Sequence, residues 1–169
     1  MRWGASFLAT ALAVLVADQL TKAAIVATLP LHDSITILPG FFDIVHVRNP
    51  GAAFSVFAAA PEWFRGPFFV IVTVAAVIVL VMVAARLEPH DRFLRVALGA
   101  ILGGALGNLV DRLAYGEVVD FVDVHWRDLH WPAFNVADSS ITLAVAAVIA
   151  HSLFFADRAS KAPGRSASP

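Results

Sequence analysis

The stretch PFFVIVTVAAVIVLVMVAA, residues 67–85, carries no charged side chain. About 20 apolar residues in a helix cross the hydrocarbon core of a bilayer, so this stretch is read as a transmembrane helix. Working outward, residues 5–29, 93–113 and 139–156 form three more long apolar runs, the last two with polar ends. The Ala11-Leu12-Ala13 triplet resembles a signal-peptide cleavage site. The first run continues well past it, however, and three more spans follow, so that run is read as a span too. The pattern predicts an all-α membrane protein, a bundle of four transmembrane helices.

Composition agrees. Of 169 residues, 59% are hydrophobic and only 15% charged, which departs from the roughly even apolar share of a soluble domain. Length allows one unit, taken as residues 1–157, followed by a disordered cytoplasmic tail at 158–169 rich in Ala, Ser, Pro, Gly and Lys/Arg. The net charge of −1 offers no footprint for nucleic acid. The absence of cysteine excludes disulfides, thiolate metal sites and a cysteine nucleophile.

Charge placement orients the bundle. One side carries Arg2, the short connector with Arg86, Arg92 and Arg95, and the tail with Arg158, Lys161 and Arg165. The other carries Arg48, Arg65 and Arg127, diluted by Asp33, Asp43, Glu62, Glu117, Asp123 and Asp128. The positive-inside rule puts both termini and the second connector in the cytoplasm, and the first and third connectors outside. Within the first outward connector, residues 34–38 and 41–47 read as short strands around a Pro39-Gly40 turn. Residues 58–66, with Trp63 and Phe64, suit either a segment lying on the membrane surface or an ordinary loop. Trp126 and Trp131 are candidate interface anchors in the other outward connector.

Aspartates stand out against this background, because a carboxylate at membrane depth costs several kcal/mol unless paired, wet or protonated. Asp18 and Lys22 are four apart on the first span, a spacing that lets them pair as a structural ion pair. Gly99, Gly103 and Gly107 repeat every four residues on the third span and allow close helix approach. Asn108, Asp111 and Arg112 follow on a shared face, as a hydrogen-bonded network, a substrate-binding edge, or both. Asp138 sits at the start of the fourth span, an ordinary place for a helix-capping carboxylate. Asp120 lies in the apolar run Val118-Val119-Asp120-Phe121-Val122-Asp123-Val124, where desolvation favours its protonated form. Asp120 and Asp138 both belong to the stretch joining the last two spans. If they meet, they will share a proton and can work as acid and base on a peptide bond.

These motifs resemble the lipoprotein signal peptidases (signal peptidase II), bacterial membrane aspartyl proteases. The resemblance is carried by Asp18-Gln19-Leu20-Thr21-Lys22, Asn49-Pro50-Gly51-Ala52-Ala53-Phe54-Ser55, Gly103-Gly104-Ala105-Leu106-Gly107-Asn108-Leu109-Val110-Asp111-Arg112, Val118-Val119-Asp120-Phe121 and Phe134-Asn135-Val136-Ala137-Asp138-Ser139. It implies a small extracytoplasmic β-cradle with a short interfacial helix. It implies removal of signal peptides from prolipoproteins on the amino side of a diacylglyceryl-modified cysteine. The catalytic pair falls on Asp120 and Asp138. Asn49, Gly51, Asn108, Asp111, Arg112 and Asn135 match positions that line or support the site, and Asp18 and Lys22 match a structural motif. No cofactor or metal is implied. The expected setting is a monomer in the bacterial inner membrane, contacting prolipoproteins and lipid, with its site near the outer face. Pro50 departs from the Thr of many members and should stiffen the loop. Three other readings compete. Intramembrane charges also mark proton-coupled transporters. Asp120, Asp123, His125, His130 and Asp138 suggest a metal hydrolase. Ser139 or Ser55 with Lys22 suggests a Ser–Lys protease.

Overall fold

The computed structural model describes residues 4–51, 57, 60–88 and 91–160, with side chains as far as 154. Part of the Asn49–Ser55 motif, including the candidate nucleophile Ser55, therefore lies outside the described residues, as do residues 58 and 59 of the proposed surface segment and 161–169 of the tail. Four helices form the body: α1 (Gly4–Thr28), α2 (Glu62–Arg86), α3 (Arg92–Tyr115) and α4 (Val136–Ser160). All four are long and apolar enough to cross a membrane. Helix α2 starts five residues before the uncharged run, so Glu62–Gly66 form its first turns. Glu62 there faces the positive end of the helix dipole, which favours an early start. Helix α4 runs to Ser160, past the predicted start of the tail.

Burial in the bundle is inverted relative to a soluble protein. Leu8, Leu12, Leu20, Ile71, Leu143 and Leu153 are exposed, whereas Asp18, Lys22, Arg95 and Asp111 are buried. Lipid is as apolar as leucine, so helices in a bilayer gain little by hiding leucines and associate through small and polar residues instead. Helices α1 and α3 follow this rule. A Cβ on Gly103 would collide with the Ala11 carbonyl, and one on Gly107 would collide with the Asp18 carboxylate. Absence of side chains at these two positions brings the α1 backbone and its buried charge against α3. A smaller apolar cluster of Phe7, Ala11, Ala84 and Leu102 ties α2 to the same pair.

At the end of the bundle where α1 and α3 finish and α2 and α4 begin sits a four-stranded antiparallel sheet in the order β1-β2-β3-β4. Its strands are β1 (Ser34–Leu38), β2 (Phe42–Asn49), β3 (Val118–Trp126) and β4 (Leu129–His130). The hairpin of β1 and β2 around Pro39-Gly40 follows from the turn signal. Strand β3 was not anticipated. The run around Asp120 is rich in Val and Phe, residues suited to strands, and tertiary pairing with β2 makes it one. That pairing runs from Phe42 opposite Val124 to Asn49 opposite Val118, with a bulge in β2 between Ile44 and Val47. Val47 lies opposite Asp120, so the bulge sets the level at which this carboxylate leaves the sheet. His46, inside the bulge, is buried and bonds the Leu29 carbonyl through Nδ1 at 2.8 Å, anchoring the sheet to the end of α1.

Candidate active site

Helix α4 begins just after Asn135 for a local reason. The Asn135 side-chain oxygen accepts the Asp138 backbone N–H at 2.9 Å, and Asp138 Oδ2 accepts the Asn135 backbone N–H at 3.3 Å. This reciprocal arrangement satisfies two otherwise orphaned donors. Asp138 thus serves its own helix in the first turn. Its second oxygen, Oδ1, accepts a bond of 2.8 Å from Asn108 Nδ2 on α3.

Strand β3 delivers Asp120 to the same place. Asp120 Oδ1 accepts from Asn135 Nδ2 at 2.7 Å and Oδ2 accepts from Asn49 Nδ2 at 3.1 Å. Asn135, fully buried, therefore touches both carboxylate-bearing residues. Its amide also reaches the Val119 carbonyl and Asn108 Oδ1, each at 3.2 Å. Asn49 is held in turn by a tight local turn, with the Gly51 N–H donating to its Oδ1 at 3.0 Å.

Beneath the pair lies a buried charge network. The Lys22 ammonium contacts Asp18 at 2.8 Å, Asp111 at 2.9 Å and Asn108 Oδ1 at 2.9 Å. Asp18 Oδ1 accepts the Ala137 N–H at 2.9 Å, and Asp111 Oδ2 accepts the Val119 N–H at 3.0 Å. Each of these carboxylates holds the backbone neighbour of a suspect aspartate: Ala137 precedes Asp138 and Val119 precedes Asp120. Gln19, to which the sequence reading assigned no role, joins the two halves by donating to Asp111 Oδ1 at 3.0 Å and the Gly107 carbonyl at 3.1 Å. Its signal was a polar residue beside Asp18 on an otherwise apolar helix.

Above the pair opens a cavity of about 860 Å³. Its lining combines polar groups from Asp120, Asp138, Asn108, Arg112 and the Asn49–Gly51 turn with apolar ones from Trp131, Phe134, Ile141 and Leu143. Leu143 is also exposed on the outer surface of α4, so the cavity reaches the apolar exterior of the bundle. Arg112 donates to the Gly51 carbonyl at 2.9 Å and lies over the Phe69 ring at 4.6 Å. Trp63 is not among the described lining residues and is 78% exposed. Burial raises the pKa of Asp120 to about 7, the neighbouring Asp138 charge adds to the rise, and bonds from Asn49 and Asn135 oppose it.

The other candidates are arranged differently. Ser139 lines the cavity, yet its hydroxyl donates to the Asn135 carbonyl at 2.8 Å, and Lys22 is engaged with two carboxylates. Asp123, His125 and His130 do cluster, but Asp123 and His125 alternate with Asp120 along β3 and so leave its opposite face. The five-residue metal set is thereby split between two places.

The family model for Signal peptidase (SPase) II matches residues 10–154. A lipoprotein signal peptidase from Syntrophotalea carbinolica is 51% identical over 132 residues, covering 78% of this chain and 81% of that protein. One from Syntrophus aciditrophicus is 45% identical over 139 residues, covering 82% and 86%. Among solved structures, a bacterial membrane enzyme determined by the in meso method at 2.3 Å superposes with a TM-score of 0.80 at 36% identity, covering 92% of this chain and 90% of that one.

Proposed function

The chain belongs to the signal peptidase II family, multi-pass bacterial membrane proteases that remove signal peptides from prolipoproteins, and we propose that Asp120 and Asp138 are its catalytic pair. The observation that carries this reading is the shared Asn135, which holds a contact to each of the two residues where both line a cavity that also has apolar lining residues. The pair carries one proton between them. The ionised carboxylate removes a proton from a water as that water attacks the scissile carbonyl. The protonated partner donates to the carbonyl oxygen and then, as the tetrahedral intermediate collapses, a proton passes to the leaving amine. No covalent enzyme intermediate and no cofactor is needed.

Asn49, Asn108 and Asn135 orient the carboxylates, and Gly51 and Arg112 form the edge against which the peptide lies. Asp18, Lys22 and Asp111 act structurally, setting the start of α4 and the height of β3. The cleaved bond lies on the amino side of a diacylglyceryl-modified cysteine, with acyl chains along the apolar wall at Ile141 and Leu143. The sheet end of the bundle faces the outside, as the positive-inside pattern suggests, and one chain suffices. In a test with purified protein, a peptide bearing the lipid-modified cysteine is cleaved and the same peptide without the lipid is cleaved at least about a hundredfold more slowly, since the apolar wall contributes only to the first. Equal rates would sink the lipid-side assignment.

Activity should also depend on pH through the pair. Asp120 keeps its proton below about pH 7 and loses it above. With both carboxylates ionised the general acid is gone, so kcat/KM falls about tenfold per pH unit above the transition. The midpoint belongs to the pair as a unit. A profile flat from pH 6 to pH 9 would contradict this assignment of the proton.

A further inference from the structure

On the face of β3 turned away from Asp120, Asp123 and His125 are two residues apart and therefore side by side. His130 on β4 is the register partner of His125. One ligand atom from each of the three residues lies within 4.8 Å of the others. His130 Nδ1 is 2.9 Å from Asp123 Oδ2, and His125 Nδ1 is 4.0 Å from the same oxygen. The two imidazole rings stack at 4.6 Å.

Two further observations call for something more than a hydrogen bond between Asp123 and His130. His125 is only 9% exposed, and its buried Nδ1 has no hydrogen-bond partner although it points toward the Asp123 carboxylate. A buried ring nitrogen left without a partner loses the hydrogen bond that water would have given it. Asp43, on β2, lies directly opposite Asp123, and its Oδ1 is likewise buried without a partner. Like charges directly opposed on neighbouring strands repel. A cation received among Asp123, His125 and His130 gives the His125 nitrogen a partner and offsets the two opposed carboxylates.

We infer that Asp123, His125 and His130 form a binding site for a divalent transition-metal ion of the Zn²⁺ class. Two imidazoles and a carboxylate suit zinc, and a site with three protein ligands completes its tetrahedron with water. Bonds of about 2.0–2.1 Å place tetrahedral ligand atoms about 3.3 Å apart. The present separations of 2.9 and 4.0 Å bracket that value. His130 has the freedom to adjust, because its side chain is 53% exposed. Asp43 supplies charge beside the ion. Bound metal would pin β4 to β3, and the residue after His130 is Trp131, which lines the cavity. The site is thus separate from the aspartate pair but able to stiffen the cavity rim.

The test uses the tag-free full-length chain in detergent, stripped of metal with a chelator and titrated with Zn²⁺ against a chromophoric competitor. One Zn²⁺ should bind per chain and raise the Tm by several degrees. Loss of outer partners alone weakens metal sites 10- to 100-fold, so His130→Asn should weaken binding at least about tenfold. His130→Cys should restore it, because a thiolate is a zinc ligand and a purely structural role for the ring would not be rescued. His125→Asn should repeat the loss, and Asp120→Asn should bind zinc as the parent does. No saturable binding, or equal affinity in His130→Asn, overturns the site. A loss in Asp120→Asn that spares His130→Asn overturns its placement.

Discussion

Asp120→Asn and Asp138→Asn should each reduce cleavage of a lipid-modified peptide by at least about a thousandfold while the protein still inserts and folds. Each substitution removes one member of a pair whose work is to pass protons, and positioned general acids and bases contribute about 10²–10⁴. An amide preserves the shape of the carboxylate and can still meet Asn49, Asn108 or Asn135 through an amide–amide bond. It can neither accept the proton of the attacking water nor donate one to the leaving amine. Because both residues act in one step, the double variant should lose little beyond either single variant. Cleavage is read by separation of the product peptides, and folding by Tm and elution from a sizing column. Substantial activity in either well-folded variant would falsify the pair.

The second large effect is on stability. Lys22→Met should lower the stability by about 3–5 kcal/mol, the usual cost of removing one partner from a buried ion pair. Its ammonium, 3% exposed, lies between Asp18 and Asp111 and also holds Asn108. Without it Asp18 and Asp111 both lose the ammonium they contact. The consequence spreads because Asp18 holds Ala137 and Asp111 holds Val119, so α4 and β3 both lose definition. Low abundance and a Tm drop of many degrees are the expected readouts, with Asp18→Asn milder because the amide still accepts the Ala137 N–H. A stable but inactive Lys22→Met would instead assign Lys22 to the chemistry, as a Ser–Lys reading demands.

Much of the bundle was legible because membrane solvation acts residue by residue. Residues 67–85 announce a span by composition alone, and the Gly99, Gly103 and Gly107 repeat announces a close helix contact. Asp18 and Lys22 were legible as a pair from helical spacing, and Pro39-Gly40 as a turn. Strand β3 was less so. A strand acquires its identity from a partner, and β2 lies some seventy residues earlier in the chain. Gln19 carried no role in the sequence for the same reason: what it joins, Asp111 and Gly107, comes from another helix.

The sequence by itself determined four apolar spans and the family, and it marked an expected orientation by charge and Asp120 and Asp138 as the residues to watch. Each of these follows from composition, local spacing or motif order, which are properties of the chain alone. Only the tertiary structure decided that one amide, Asn135, touches both residues, that Asp18 and Asp111 hold the peptide groups just before them, and that Asp123, His125 and His130 gather on the other face of β3. The physical reason is that hydrogen bonds and ion pairs act over about 3 Å. Whether two polar atoms come that close depends on how helices and strands pack, and no spacing along the chain encodes it.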